Sequence, residues 1–449
     1  MSNRYAILAL SFWSAIGLVN AQQGYTRTHY RMLDEAKALL DGGQWSEASK
    51  IYKRLLIVDT AFADVYMEIA QCEVHLPGMR DAAADHFAAA ARHGNIDAMY
   101  HLALERHRQQ RFDETVSLLN DYRTKTNRTI LDAEVDRRIG MARTAKSLTA
   151  NPVDVKIRNM GAQVNSSAHD YSPVVTADGN TMYFTSRRTG TVGGQRDASG
   201  QYYEDIYAVQ REEGIWGRAS NVGAPLNTNM MDATVGLSVD GNEMVVYRTP
   251  PEAVSGNLYL SKRAQGRWSE PEALTERINS GSHEPSATIS PDGSEIYFTS
   301  DRPGGLGGRD LYRIRRLPNG QWSLPLNLGP TVNTPYDEDA PFLHSDGSTL
   351  FFSSNGHNTM GGYDIFKSNL IDTDMNVWGL PENLGYPLNT VNDDIYFCLN
   401  EDGTTGHFSS ERSNGLGGQD IYQVEFPDSQ IDYLLVRGVV TDGSDEPVK

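Results

Sequence analysis

The sequence predicts an α + all-β multidomain protein, in which a helical repeat domain precedes a closed ring of similar β-sheets. The pattern Asn-Ser/Thr-x-x-x-Asp/Glu-x7-Asp-Gly recurs five times, at intervals of 52 to 62 residues. Between residues 24 and 148, apolar side chains instead follow a helical period of about 3.6 residues, with few prolines. Self-similarity at such periods is typical of repeat architectures, whose units cannot bury their apolar faces alone.

Composition excludes some classes of function. The formal net charge of −18 and the pI near 5.0 argue against a nucleic-acid-binding protein, which needs a basic face to neutralise phosphates. The two cysteines, Cys72 and Cys398, fall in different predicted domains. We therefore expect buried thiols, no metal site built on cysteine, and no cofactor.

Residues 1–21 have the features of a cleaved export signal. Arg4 precedes an apolar run from residue 5 to residue 19, and Val19-Asn20-Ala21 supplies small residues at a cleavage site. The run is too short, and too often broken by serine and glycine, to be a good membrane span. We therefore expect an exported protein whose mature chain begins near Gln22.

Residues 24–148 are expected to fold as paired helices. Apolar stripes at helical spacing stop at Gly42-Gly43 and resume after it, as expected where one helix ends and the next begins. Ala48, Ala83 and Thr115 are spaced near the tetratricopeptide period of about 34 residues. The segment resembles tetratricopeptide repeats, which implies a concave groove for a partner segment. The alternative is that it only packs against the β ring.

Each of the five β units shows the same order of signals. A short strand precedes the Asp-Gly turn and a second strand follows it, which predicts a hairpin. A third strand begins at Asp or Asn, and a fourth carries Trp in four units. Four radial strands per unit predict a five-bladed β-propeller over residues 152–430, with six blades as the alternative. The last unit lacks its outermost strand, and Asn159-Met160-Gly161 should supply it and close the ring.

The order of domains resembles a known family. Ser290-Pro291-Asp292-Gly293 matches the turn of the TolB-like propeller repeat, which is related to the WD repeat. Residues 434–449 resemble the first strand of a carboxypeptidase regulatory-like domain, a β-sandwich, truncated at Lys449. An export signal, helical repeats, a propeller and this strand, in that order, resemble Bacteroidetes OmpA-family envelope proteins, among them components of the type IX secretion system.

The resemblance implies a non-enzymatic scaffold in the periplasm, associated with the outer membrane. Its partners would be envelope and outer-membrane proteins, bound through the helical repeats and the propeller loops. In the family, a C-terminal OmpA-like domain holds peptidoglycan. The 449 residues do not include such a segment, so the resemblance assigns peptidoglycan binding to no residue here.

The acidic residue of the repeat is the candidate site. It precedes the innermost strand of each blade, so we expect five carboxylates around one mouth of the central channel: Asp170, Asp232, Glu284, Glu338 and Asp394. Five neighbouring residues are expected to add to this ring: His169, His283, Asp337, Asp339 and Asp393. Like charges so close would favour a bound cation or a basic partner. The alternative is structural, because an acid at a strand entrance accepts backbone N–H bonds. Identical spacing in all five blades favours the structural interpretation, and we expect no metal.

Arginines also recur with the blades. An arginine ten places after the turn aspartate is expected to pair with the aspartate that begins the third strand. This predicts the pairs Arg188–Asp205, Arg302–Asp310 and Arg412–Asp420. The second unit lacks both partners.

No catalytic apparatus is predicted. A glycosidase needs carboxylates in unlike environments, placed asymmetrically, whereas every acid singled out above repeats with the blades. The sequence also contains no Gly-x-Ser-x-Gly elbow. A glycan-binding or glycan-hydrolysing five-bladed propeller is the alternative.

Overall fold

The structure is a computed structural model that describes residues 25–197 and 199–427. The chain divides into two compact units between Lys146 and Ser147. The expected export signal (1–21) and the expected sandwich strand (434–449) lie outside the described residues. Within the described ranges, no helix is both long enough and apolar enough to cross a membrane.

The described part of the first unit contains seven α-helices, the last of which continues past Lys146, and each packs on the next in the chain up to α6. Their bounds are α1 Arg27–Asp41, α2 Trp45–Leu56, α3 Ala63–Val74, α4 Arg80–Arg92, α5 Asp97–Arg108, α6 Phe112–Arg123 and α7 Asp132–Ala150. The repeated small positions Ala48, Ala83 and Thr115 are all buried. Small side chains allow neighbouring helices to approach closely, which explains why they recur. The expected helical repeats are confirmed.

The second unit begins with β1 (Lys156–Asn159) and continues as five blades. Blade one contains β2 Asp170–Val175, β3 Thr181–Ser186, β4 Asp205–Glu212, β5 Ile215–Trp216 and β6 Ser220–Asn221. Blade two contains β7 Met231–Leu237, β8 Glu243–Thr249, β9 Asn257–Ala264, β10 Arg267–Trp268 and β11 Glu272–Ala273. Blade three contains β12 Ala287–Ile289, β13 Glu295–Ser300, β14 Asp310–Arg315 and β15 Leu326–Asn327.

Blade four contains β16 Glu338–Leu343, β17 Thr349–Ser354, β18 Asp364–Asp372, β19 Val377–Trp378 and β20 Glu382–Asn383. Blade five contains β21 Asp394–Leu399, β22 Thr405–Ser410 and β23 Asp420–Glu425. The first strands of the five blades (β2, β7, β12, β16 and β21) contact one another in a closed ring around the central channel. The propeller therefore has five blades, not six.

The N-terminal strand closes the ring, as the sequence predicts. β1 pairs antiparallel with β23, from Lys156 opposite Glu425 to Asn159 opposite Tyr422, and is the outermost strand of blade five. The Asn159 amide also donates a 2.7 Å hydrogen bond to the Asp420 carboxylate. Closure matters because an open edge would leave the backbone groups of β23 without partners.

Aromatic pairs pack at several joints between blades. Tyr183 of blade one meets Trp268 of blade two edge-on, with ring centres 5.8 Å apart, and Tyr297 meets Trp378 in the same way. At the joint between blades five and one, which we call the seam, His407 takes the equivalent place against Trp216, at 6.0 Å. Both ring nitrogens of His407 are buried and have no hydrogen-bond partner among the described residues.

Burial therefore makes the seam acid-sensitive. Burial, followed by the nearby charges of Arg211 and Arg158, lowers the pKa of His407 to about 3. In the unfolded chain a histidine has a pKa of about 6.5. The unfolded state thus binds more protons between these values, and stability falls as pH drops through that window, by up to about 1.4 kcal/mol per pH unit.

We predict that His407→Phe, which copies Phe351 at the equivalent position of blade four, flattens the loss of stability between pH 6.5 and pH 4. The measurement is urea unfolding of the full chain across that range. His93→Phe changes an exposed ring in the helical unit and should keep the wild-type pH dependence. An unchanged pH profile for His407→Phe would contradict the account.

Candidate functional site

The repeated asparagine joins each blade to the one before it. In the joint between blades one and two, the Asn227 amide accepts from Ile206 N–H and donates to Ile206 O, both at 2.8 Å. Asn165 makes the same two bonds to Ile421 of blade five, both at 2.9 Å, and so repeats the joint across the seam. The asparagines of the other joints, Asn279, Asn333 and Asn389, bond Leu258, Leu311 and Ile365 in this way.

The repeated acids lie at the strand entrances, where they are expected, but their side chains are fully buried. Asp170, Asp232, Glu284, Glu338 and Asp394 are each 0% exposed. Each accepts a hydrogen bond from the hydroxyl of the Ser or Thr four residues earlier, as from Thr390 to Asp394 at 2.8 Å. Four of the five also accept the backbone N–H of that residue. Their hydrogen bonds hold the turn that leads into each blade.

The predicted arginine pairs are wrong, because each arginine turns back to the repeated acid. Arg188, Arg302 and Arg412 pair with Asp170, Glu284 and Asp394. In blade two, which sequence analysis left without an arginine, Arg248 on β8 pairs with Asp232. The aspartates that begin the third strands are instead bonded by asparagines of the outer strands: Asn221 to Asp205, Asn327 to Asp310, and Asn159 to Asp420.

Blade four is the exception, because Gly356 stands where three other blades have arginine. His357 bonds the carbonyl of Val332, at 2.7 Å, a role that arginine performs in the other blades. No cation among the described residues pairs with Glu338. Burial, opposed only by hydrogen bonds from Thr334 and Ser354, raises the pKa of Glu338 to about 7.

The repeated acids do not form a cluster of metal ligands. Within the described ranges, no group of three or more His, Cys, Asp or Glu side chains could hold a metal ion. The five acids do not converge on one point, because each is engaged inside its own blade.

A different set of side chains clusters at the channel mouth. The Tyr171 and Tyr396 rings lie 5.8 Å apart, at 30° to each other. Arg309 donates to Asp339, at 2.6 Å, and to the Tyr363 hydroxyl. Burial, followed by the charges of Asp339 and Glu204, raises the pKa of Tyr396. We call Tyr171, Glu204, Arg309, Asp339, Tyr363 and Tyr396 the mouth cluster.

Sequence analysis placed Asp339 at the channel mouth, but it missed the other five members of the mouth cluster because none of them repeats. Its members lie one or two places after the repeated acid, or directly before a third strand, where the five units differ. The register of β2, β7, β16 and β21 shifts at a bulge just after the acid, and Ser172, Ala340 and Tyr396 have positive φ there. Bulges re-aim side chains and are common beside functional sites.

The lumen below the mouth is nearly closed. Apolar side chains of the innermost strands, such as Val174, Phe342 and Phe397, leave a cavity of about 40 Å³. That volume suits water, not a small organic ligand, since typical ligand sites occupy roughly 300–1,000 Å³. The mouth is therefore a shallow site above a filled channel.

No family model and no curated protein matches the chain. One similar solved structure is the Yersinia enterocolitica type III secretion chaperone SycD, in complex with a peptide of the translocator YopD. The aligned residues are 16% identical and span 27% of this chain and 97% of the chaperone, with a TM-score of 0.26. A protein assigned as TolB from Agrobacterium tumefaciens is 16% identical, and the alignment spans 61% of this chain and 98% of that protein, with a TM-score of 0.33. An endo-arabinase from Bacteroides thetaiotaomicron is 13% identical, and the alignment spans 60% of this chain and 97% of the enzyme, with a TM-score of 0.38. At these scores the likenesses carry no argument about activity or partners.

The asparagine joint leads to a first prediction for this region. Asn165→Ala leaves the N–H of Ile421 buried without a partner, whereas the C=O of Ile421 keeps the hydrogen bond from Met160 N–H, and we expect a loss of about 1–3 kcal/mol in the free energy of unfolding. Urea unfolding measures it. Asn180→Ala, in an exposed turn of the same blade, should cost less than about 0.5 kcal/mol. If Asn165→Ala were as stable as the wild type, the asparagine joint could not be a main source of stability between blades five and one.

Glu338 leads to a second prediction. The pKa of Glu338 is raised in the folded state, so ionising this carboxyl group destabilises the fold. The destabilisation is absent below the unfolded-state pKa of about 4.3 and complete above pH 7. Glu338→Gln removes that cost and should stabilise the protein by about 2 kcal/mol more at pH 8 than at pH 5. Glu284→Gln is the control, because it strips Arg302 of its counter-ion and should destabilise at both pH values. A Glu338→Gln effect independent of pH would refute the assignment.

Proposed function

We propose that the chain is a non-enzymatic scaffold of the cell envelope, a PorE-like component that works in the periplasm at the outer membrane beside the type IX secretion machinery. Two features support a binding role. The repeated polar side chains of the propeller are engaged in joints between strands and blades. The helical unit, in contrast, keeps an open groove. The groove is the observation on which the proposal rests.

The groove runs between α4 and α6 over α5 and has a volume of about 730 Å³. Its floor is apolar and half-buried, formed by Ala88, Ala91, Met99 and Leu118. Charged residues of both signs stand around it: Asp85, Arg92, Asp121 and Lys125. An apolar floor with a charged rim is the surface expected for a partner segment that inserts apolar side chains.

The mouth cluster favours a second candidate, a propeller that binds or hydrolyses a glycan. Its two carboxylates occupy unlike environments, because Asp339 is paired with Arg309 and Ser286 whereas Glu204 lies near tyrosine rings. Asymmetry of this kind is what a glycosidase requires and what the repeated acids lack. Tyrosine rings also offer flat faces on which sugars can pack.

The scaffold proposal predicts a loss of partners when charge enters the groove. Met99→Glu places a carboxylate on the half-buried floor, where leaving it unpaired is costly. Tagged protein expressed in its own cells should then co-purify with at least tenfold less of the outer-membrane secretion components, quantified by mass spectrometry. Ser117→Glu adds the same charge on an exposed position of α6, outside the groove, and should retain them.

A second arm separates the two candidates. If the chain is a glycan hydrolase, it should release reducing ends from envelope polysaccharides, and Asp339→Asn should abolish that release. Hydrolysis of this kind, together with equal partner recovery by Met99→Glu and the wild type, would overturn the scaffold proposal.

A further inference from the structure

A cleft of about 680 Å³ opens beside the seam, between the segment that leads into blade one and the loop after β3. Its charged lining residues are Arg187, Arg188 and Arg218, and the imidazole of His169 also lines it. Among the described residues that line it, none is acidic, although the chain carries a net charge of −18. We call it the seam cleft.

Not all of these cations are free. Arg187 pairs with Asp197, and Arg188 with Asp170, so each is partly neutralised. Arg218 is exposed, and within the described ranges it makes no hydrogen bond or ion pair. The Nδ1 atom of His169 lies 3.2 Å from Gln419 N–H and accepts its hydrogen bond. Because Nδ1 is the acceptor, Nε2 carries a proton and is left to donate to a ligand. An anion entering the cleft would meet one unpaired guanidinium and further donors.

The rest of the lining is polar and small. Gln163, Gln201, Ser167 and Thr189 supply exposed amides and hydroxyls. The apolar lining residues among those described are alanines, and the one aromatic ring is Tyr202. Protein partners are usually anchored by large apolar or aromatic side chains in apolar pockets. The seam cleft has no such pocket, but its donors and acceptors suit a hydroxylated ligand.

We propose that the seam cleft binds an acidic saccharide, whose uronic-acid carboxylate pairs with Arg218 and whose hydroxyls bond the surrounding amides and hydroxyls. Arginine matches a planar carboxylate with two parallel N–H donors. The volume lies within the range of about 300–1,000 Å³ common to small-ligand sites. The seam cleft shares no lining residue with the groove of the helical unit or with the mouth cluster, and failure of this proposal would leave the scaffold proposal intact.

Isothermal titration of the full chain tests the proposal with four probes: tri-galacturonic acid, a neutral galactose trisaccharide, inorganic phosphate and a triglutamate peptide. We expect heat of binding with tri-galacturonic acid alone, weakened by added salt. Arg218→Gln should weaken that binding about tenfold or more, because it removes a charge-assisted pair. Gln201→Ala should weaken it less, by a few-fold.

Arg267→Gln is the matched control, since it removes an exposed positive charge from the outer part of blade two. It should bind tri-galacturonic acid as the wild type does. Absence of binding to tri-galacturonic acid would overturn the proposal, as would equal weakening by Arg267→Gln. Equal binding of phosphate would indicate a general anion site, and equal binding of triglutamate a site for acidic peptides. Either result would also overturn it.

Discussion

An asparagine amide completes the backbone bonding at the start of the third strand in every blade. The amide comes from the segment that leads into the next blade, so one side chain fixes both the end of a blade and the path to its neighbour. Four of the five asparagines are almost fully buried, as at Asn389, and Asn279 is half-buried. A buried polar group that loses its hydrogen bond costs more free energy than the bond itself contributes. The ring depends on this joint, because Asn165 makes it between residues 256 positions apart.

The joint also explains the buried carboxylates. Once the asparagine has fixed the turn, the Ser or Thr beside it is held against the acid four residues later, and an arginine neutralises the charge in four blades. A buried carboxylate is tolerated only with such partners. In blade four the hydrogen bonds remain but the arginine is missing, so Glu338 holds its proton more tightly. The acids are thus part of the blade structure.

Features suited to binding lie where the repeat is broken. The mouth cluster occupies positions at which the five units differ, and the seam cleft lies where the two ends of the propeller chain meet. A symmetric ring offers equivalent surfaces, whereas recognition of one ligand needs unlike groups placed together. The helical unit adds a groove of its own kind, with an apolar floor in place of a polar lining.

Patterns along the chain were enough to predict the two kinds of repeat, a propeller of five repeated units and the strand that closes it. These follow from local patterns, since each Asp-Gly turn, each Trp and the orphan Asn159-Met160-Gly161 motif can be aligned along the chain. The contacts between individual side chains became known only from the folded protein. Arg188 pairs with Asp170 and not with Asp205, whose carboxylate accepts hydrogen bonds from the outer-strand Asn221 and from Val192 N–H. Sequence spacing identifies equivalent residues in the five blades. It does not show the direction in which a side chain points or which residues of the neighbouring blade it contacts. For that reason the mouth cluster and the seam cleft, assembled from blades far apart in sequence, could not be predicted.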